Sequence, residues 1–283
     1  MHDGTTPSVA PGSIRLEHQV ENDWEFAYPR VSEEALDGLD EGIELMNSEH
    51  RDEAERLFER LIRHFPEFID ARHHLAMLLD AQGRKTEALR LWQEAVDLGF
   101  TCFPMVFRYG QDLLPWGWID NRPFLRACHG FGLAYLERGN VGMALDLFRR
   151  ILALCPDDNL GIRALVIDCY FSLKRPEEVL AVCSHYPGDP LEHSLYGKAL
   201  ALFQVGRLDE ARDALRRAVA DFPLVAQELL KTRHRRPKSR VPGHIAHGGA
   251  DQAYEYWREQ GRFWNETPGA LELVRAVLGE HLG

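Results

Sequence analysis

The chain has 283 residues, of which 45% are hydrophobic, enough for one large or two modest domains with a real core; this excludes a wholly disordered chain. A formal charge of −11 argues for solubility and against a general nucleic-acid binder. Five cysteines (Cys102, Cys128, Cys155, Cys169 and Cys183) form no CxxC pair and lie mostly in apolar helical patterns, which fits a reducing setting; with no signal-like leader and no ~20-residue apolar span, the chain reads as soluble and cytoplasmic.

In chain order, residues 1–30 form an N-terminal, partly disordered segment. Its first 12 residues read as disordered, whereas IRLEHQVENDWEFAYPR has enough apolar content to pack against the first helical pair. From 31 to 223 one pattern recurs. Gly132, Tyr135, Ala144, Phe148 and Pro156 are spaced like Gly42, Leu45, Ala54, Phe58 and Pro66 upstream. Ala88 follows Ala54 by 34 residues, with Ala76, Leu79, Gly83, Trp92 and Ala95 in register. Ala199, Leu202, Gly206, Ala211, Leu215, Ala218 and Pro223 make a further copy, and Val179 and Cys183 mark a weaker one. The units are 35–68, 69–100, 125–158, 159–190 and 192–225.

Between the second and third units the period is broken at 101–122, where TCFPMVFRYGQDLLPWGWIDNR is rich in aromatics: Phe103, Phe107, Tyr109, Trp116 and Trp118. Exposed tryptophans are a solubility liability, so these rings are expected to plug the gap between the two units. Residues 224–283 hold a basic arm and a helical cap. In the cap, Ala253, Tyr254, Trp257, Gly261 and Trp264 share one helical face, and Thr267 with Pro268 starts a last helix expected to help cover the open edge of the final unit.

The recurring small, Tyr, Ala, Phe and Pro positions resemble the tetratricopeptide repeat family, a helix-turn-helix of ~34 residues. The resemblance covers 35 to about 223 and implies an all-α, right-handed superhelical solenoid of about five helical hairpins with a C-terminal helical cap. Small residues such as Gly132 and Ala144 then mark where two antiparallel helices cross, and Gly139 ends the first of them. The order LPWGWIDNRPFLR, PDDNLGIRALV, RHRRP, GGADQAYEYW, TPGALEL further resembles bacterial tetratricopeptide proteins of unassigned function, which carries no catalytic motif across.

No GxxxxGK[ST], HExxH, GxSxG or CxxC spacing is present. His73 and His74 are adjacent and point apart on a helix, and His244 and His247 lack acidic or thiol company, so no metal and no cofactor are expected. Cys183 and His185 face different sides of a helix end, poor geometry for a nucleophile and base. A noncatalytic protein is expected.

In the tetratricopeptide family the first helix of each hairpin lines the concave face. Carried over by position, the resemblance implies a peptide groove of Asp70, His73 and Met77; Arg126, His129 and Leu133; Arg163, Ile167 and Tyr170; and His193, Tyr196, Leu200 and Phe203. Apolar positions flanked by His and Arg suit a peptide or helix of some acidic character, since Arg makes bidentate bonds to carboxylates. The other reading is a solvated face, or one filled by the chain's own termini. Chaperone-binding relatives use Lys and Asn where this chain has Leu39 and Ile43, or His129 and Leu133, so a carboxylate clamp is not expected.

The arm KTRHRRPKSR carries Lys231, Arg233, Arg235, Arg236, Lys238 and Arg240 without an acid. These cations point to a polyanion contact and an RNA- or ribosome-associated factor as the alternative. Against it stand the acidic body and the lack of interleaved aromatics. The arm's third reading is intramolecular, against acids such as Glu33, Glu34, Asp37, Asp40 and Glu41. The expectation is a protein-interaction scaffold, with substitution of Arg126 or Arg163 weakening a partner without unfolding.

Overall fold

A computed structural model describes residues 13–238 and 246–282. The expected disorder of residues 1–12 lies outside the described residues. Two compact units divide the chain, 1–162 and 163–283.

The first unit begins with a short antiparallel ribbon, β1 (Arg15–His18) and β2 (Trp24–Ala27), with Leu16 paired to Phe26. Side chains alternate along a strand, so Leu16, Trp24 and Phe26 are buried while their neighbours stay partly open. The hairpins follow: α1 (Glu33–Asn47) with α2 (Arg51–His64), α3 (Ile69–Ala81) with α4 (Lys85–Thr101), and α5 (Arg122–Glu137) with α6 (Val141–Leu154). Ser32 caps α1, its hydroxyl accepting from Ala35 N–H at 3.3 Å, and Glu33 and Glu34 sit in the first turn, where acids favour the helix dipole.

In the α1–α2 and α5–α6 hairpins the crossing depends on a missing side chain, at Gly42 and Gly132. A Cβ on Gly132 would overlap the Phe148 ring, so only glycine lets α5 approach α6 this closely. The first helices also end alike. Glu49, Gly83, Gly139, Lys174 and Gly206 all have positive φ, and the next N–H in each case reaches back to a carbonyl five residues earlier (His50 to Leu45, 2.9 Å; Asn140 to Tyr135, 2.9 Å). This is the Schellman ending, in which a left-handed residue turns the chain out of the helix.

Residues 14–30 touch the 35–68 repeat through Ile14 N–H, which donates to Glu67 Oε2 at 2.9 Å, and the ribbon also packs on the aromatic insertion and the start of α5. Phe26 lies 5.1 Å from Phe124 and 6.4 Å from Phe103, and Trp24 lies 5.6 Å from Phe107. Asn121, fully buried, accepts from Phe26 N–H (3.1 Å) and donates to Trp24 O (2.9 Å) and Pro115 O (3.2 Å). Phe103 stacks on Tyr109 at 5.5 Å and meets Phe100 at 5.5 Å, so rings do fill the space between the end of α4 and the start of α5. Met105, Val106, Tyr109 and Ile119 nonetheless remain exposed.

The second unit holds α7 (Ile162–Ser172), α8 (Pro176–His185), α9 (Glu192–Gln204), α10 (Leu208–Asp221), α11 (Pro223–Leu229), α12 (Ala250–Glu266) and α13 (Ala270–Leu282). α9 and α10 form its best-defined hairpin, α13 packs on α10, and α12 packs on α11 and α9. Glu280 of α13 accepts from Arg212 (2.7 Å) and Arg216 (3.0 Å) of α10. Among the described residues no helix is long and apolar enough to cross a membrane.

Candidate functional site

In the first unit, α3 and α5 lie side by side, and a cleft of about 510 Å³ opens along them. Five expected groove residues line it: His73 and Met77 from α3, and Arg126, His129 and Leu133 from α5. Asp70 lies one turn away and holds Arg126, whose Nη2 donates to Asp70 Oδ2 at 2.7 Å. Met77 and Leu133 are 41% and 38% exposed, so the cleft presents apolar surface to solvent.

Sequence reasoning did not assign Trp92, His74, Gly130 or Glu137 to this cleft. Trp92, from the second helix of its hairpin, donates its indole N–H to His73 Nδ1 at 3.2 Å. A neutral imidazole accepting at Nδ1 carries its proton on Nε2, so His73 is fixed as an Nε2–H donor. Burial, then the neighbouring His74, Arg126 and His129, push the His73 pKa well down; burial lowers that of His129 against the pull of Asp158. Both are therefore neutral near pH 7. His74 borders the same cleft, its Nδ1 2.9 Å from Asp70 O and its ring 5.2 Å from that of His73, so the two adjacent histidines are not separated as expected.

The groove positions of the second unit are not open. Ile167, Tyr196 and Leu200 are fully buried and Tyr170 nearly so. Tyr196 donates its hydroxyl to Phe222 O at 2.8 Å, and its ring meets Tyr256 (5.4 Å) and Trp264 (6.1 Å) of α12. Phe171 meets Phe263 at 5.2 Å, and Arg262 donates to Ser172 Oγ at 2.9 Å. Phe203 abuts Gly269. α12 packs on this face, in line with the reading in which the chain's own C-terminal segment fills it. Of the face expected for α12, Ala253, Gly261 and Trp264 are buried, together with Tyr256, Gln260 and Phe263, while Tyr254 and Trp257 are only half-buried.

His193 fastens this arrangement, with Nε2 3.2 Å from Glu259 Oε2 and Nδ1 3.3 Å from Glu192 Oε1. Burial opposes its charge, but the hydrogen bonds to Glu192 and Glu259 and the nearby Asp168 carboxylate lift its pKa to about 10. Asp168, with Oδ1 enclosed and unbonded, is pushed up to about 7 by burial. Arg163 lies over the Tyr186 ring at 4.6 Å and 3.6 Å from Asp189 Oδ2, so it serves the fold rather than a free groove.

The basic arm pairs within its own unit. Lys231 bonds Glu228, His234 Nδ1 lies 2.9 Å from the same carboxylate, and Arg236 is 3.4 Å from Glu255. His234 also stacks on Trp257 at 3.6 Å. The acids used are therefore Glu228 and Glu255 rather than those of α1 named above. Arg233, Arg235 and Lys238 are exposed, and Arg240 lies outside the described residues. Burial pushes the Cys102 and Cys183 thiols up to about 11 and Cys169 to about 12, and raises Cys128 further, so these thiols stay protonated. No group of three or more His, Cys, Asp or Glu among the described residues is placed to hold a metal.

The stacked hairpins are those of a tetratricopeptide-repeat fold. A crystal structure of a tetratricopeptide repeat protein from Parabacteroides merdae is similar over 89% of this chain and 88% of its own, at 13% identity and a TM-score of 0.51. Also similar are MamA (17% identity, 70% of this chain, 97% of that one, TM-score 0.49) and YrrB, described as a TPR protein with an unusual peptide-binding site (14%, 80%, 94%, 0.45). By its sequence the chain belongs to the family described as transcriptional repressor TCF25, whose model matches residues 45–260. No curated protein matches it.

Proposed function

We propose that the protein is a noncatalytic interaction module that holds a peptide or helix of acidic character in the cleft between α3 and α5. One observation carries this reading: exposed Met77 and Leu133 share a cleft with Arg126 and two neutral histidines. An apolar floor gains from burying a partner's side chains, and the guanidinium has N–H groups beyond the one given to Asp70, with which to meet a carboxylate. A family described as transcriptional repressor fits a protein that acts by holding others.

The test is a displayed random-peptide selection on the full chain. Enriched peptides should combine apolar and acidic residues and lose about tenfold or more in affinity for Leu133→Asp, a charge set on the cleft floor. Equal binding to Leu133→Asp would overturn the proposal. The alternative, an RNA- or ribosome-associated factor, draws support from exposed Arg233, Arg235 and Lys238; deleting 231–240 should then abolish a salt-sensitive association.

A further inference from the structure

The first hairpin has an edge that α3 does not cover. A second cleft of about 510 Å³ runs along it, lined by α1, α2 and the adjoining Phe65, with no residue of α3. Leu57 and Leu61 of α2 contribute its floor. Glu34, Asp37 and Glu41 line it from α1, at i, i+3 and i+7, one stripe of a helix. None of the three is in an ion pair among the described residues. The whole of α1, EEALDGLDEGIELMN, carries acids and no base. Arg60 lines the cleft from α2.

A terminal hairpin of a repeat array has an apolar edge that a further element must cover. In the 163–283 unit the last hairpin shows how this chain does so: α13 lies on α10, and Glu280 bridges Arg212 and Arg216 along the seam. The α1–α2 edge has the same ingredients with the main charge reversed, a leucine floor beside an acidic wall. A neutral or acidic helix there would leave Glu34, Asp37 and Glu41 facing apolar surface or like charge, whereas lysines or arginines would meet them directly.

We infer that the α1–α2 edge docks a partner protein through a cationic amphipathic helix, with its apolar stripe on Leu57 and Leu61 and its basic flank along Glu34, Asp37 and Glu41. This surface is separate from the α3–α5 cleft and takes a partner of opposite charge.

The test uses the full chain and a fluorescein-labelled Leu/Lys amphipathic peptide of about four helical turns. Binding should saturate and should weaken about tenfold or more in the triple variant E34K/D37K/E41K. The triple variant E177K/E266K/E272K makes the same charge change at exposed positions of the other unit and should change affinity by less than about twofold. Amide shifts of the unmodified protein on adding peptide should fall on 34–42 and 57–65. Four results would overturn the inference: no saturable binding, equal weakening by both triples, shifts mapping elsewhere, or the same shifts appearing with protein concentration alone. The last would assign the edge to a second copy of this chain.

Discussion

His193 Nε2 lies 3.2 Å from Glu259 Oε2, so one histidine joins a repeat helix, α9, to the helix that fills its face, α12. The ring is wedged against Tyr256 at 5.3 Å, and Glu192, its second partner, is held by Gln252 of α12 at 2.7 Å. The contact is therefore a charge network that is buried at His193 and Glu192 and reaches solvent at Glu259.

Its pH dependence follows from the sign of each shift. The His193 pKa is raised from an ordinary 6.5 to about 10, so its stabilisation is complete below 6.5 and is lost as pH rises toward 10. Glu259 is lowered, chiefly by the His193 hydrogen bond, so its contribution is present above the ordinary carboxylate value and is lost in acid. Asp168, raised to about 7, works the other way and costs stability as pH climbs from its ordinary 3.8 through 7. His193→Gln should lower stability at pH 7 by about 2 kcal/mol, discounted for the partly exposed Glu259. Asp168→Asn should raise it, more at pH 8 than at pH 5. Urea midpoints across pH 5–10 read both; a His193→Gln loss that persists unchanged at pH 10 would contradict the assignment.

Arg126 was expected to be replaceable without harm to the fold. Its 2.7 Å bond to Asp70, whose side chain is 10% exposed, says otherwise. Arg126→Ala should cost about 2 kcal/mol by stranding a buried carboxylate, and Asp70→Asn in the same chain should recover part of it. A double-mutant cycle with no coupling would show that the pair contributes nothing.

Glu49 and Lys174 stand in the left-handed conformation that glycine takes at the other three equivalent turns. Glu49→Gly and Lys174→Gly should each stabilise by up to about 1 kcal/mol, because a Cβ is strained there. Gly139→Ala should destabilise by a similar amount. Thermal unfolding of the three variants decides the matter.

Asn121 satisfies one amide and one carbonyl of β2 and a carbonyl of the aromatic insertion. Asn121→Ala should cost about 3 kcal/mol and speed hydrogen exchange at Phe26 N–H, its bonded amide. Retained protection at that amide would place the ribbon's anchor elsewhere.

The hairpins were readable because small and bulky residues recur in register, and Gly132 against Phe148 is the contact that such spacing encodes. His73, Met77, Arg126, His129 and Leu133 share one cleft because equivalent positions of neighbouring first helices fall on one face. Trp92 was not readable as lining it, because it reaches the cleft from the second helix of its hairpin. A face filled by the chain's own C-terminal segment was one of the readings the sequence left open, but the inward side of α12 was not legible. Aromatics occur all round α12, so periodicity alone could not choose between Trp257 and Tyr256 as the inward side. The ribbon was illegible because each strand has four residues and its pairing is completed by Asn121, far along the chain.

That distance bears on how the protein is made. Residues 15–27 leave the ribosome early, yet the amide that would seal them arrives 95 positions later, several seconds at about 5–20 residues per second. Two helical hairpins can close before the ribbon has anything to hold. During translation Trp24 and Phe26 therefore pass through a waiting period with their rings unsheltered, and a chaperone would find its opening on the nascent chain there.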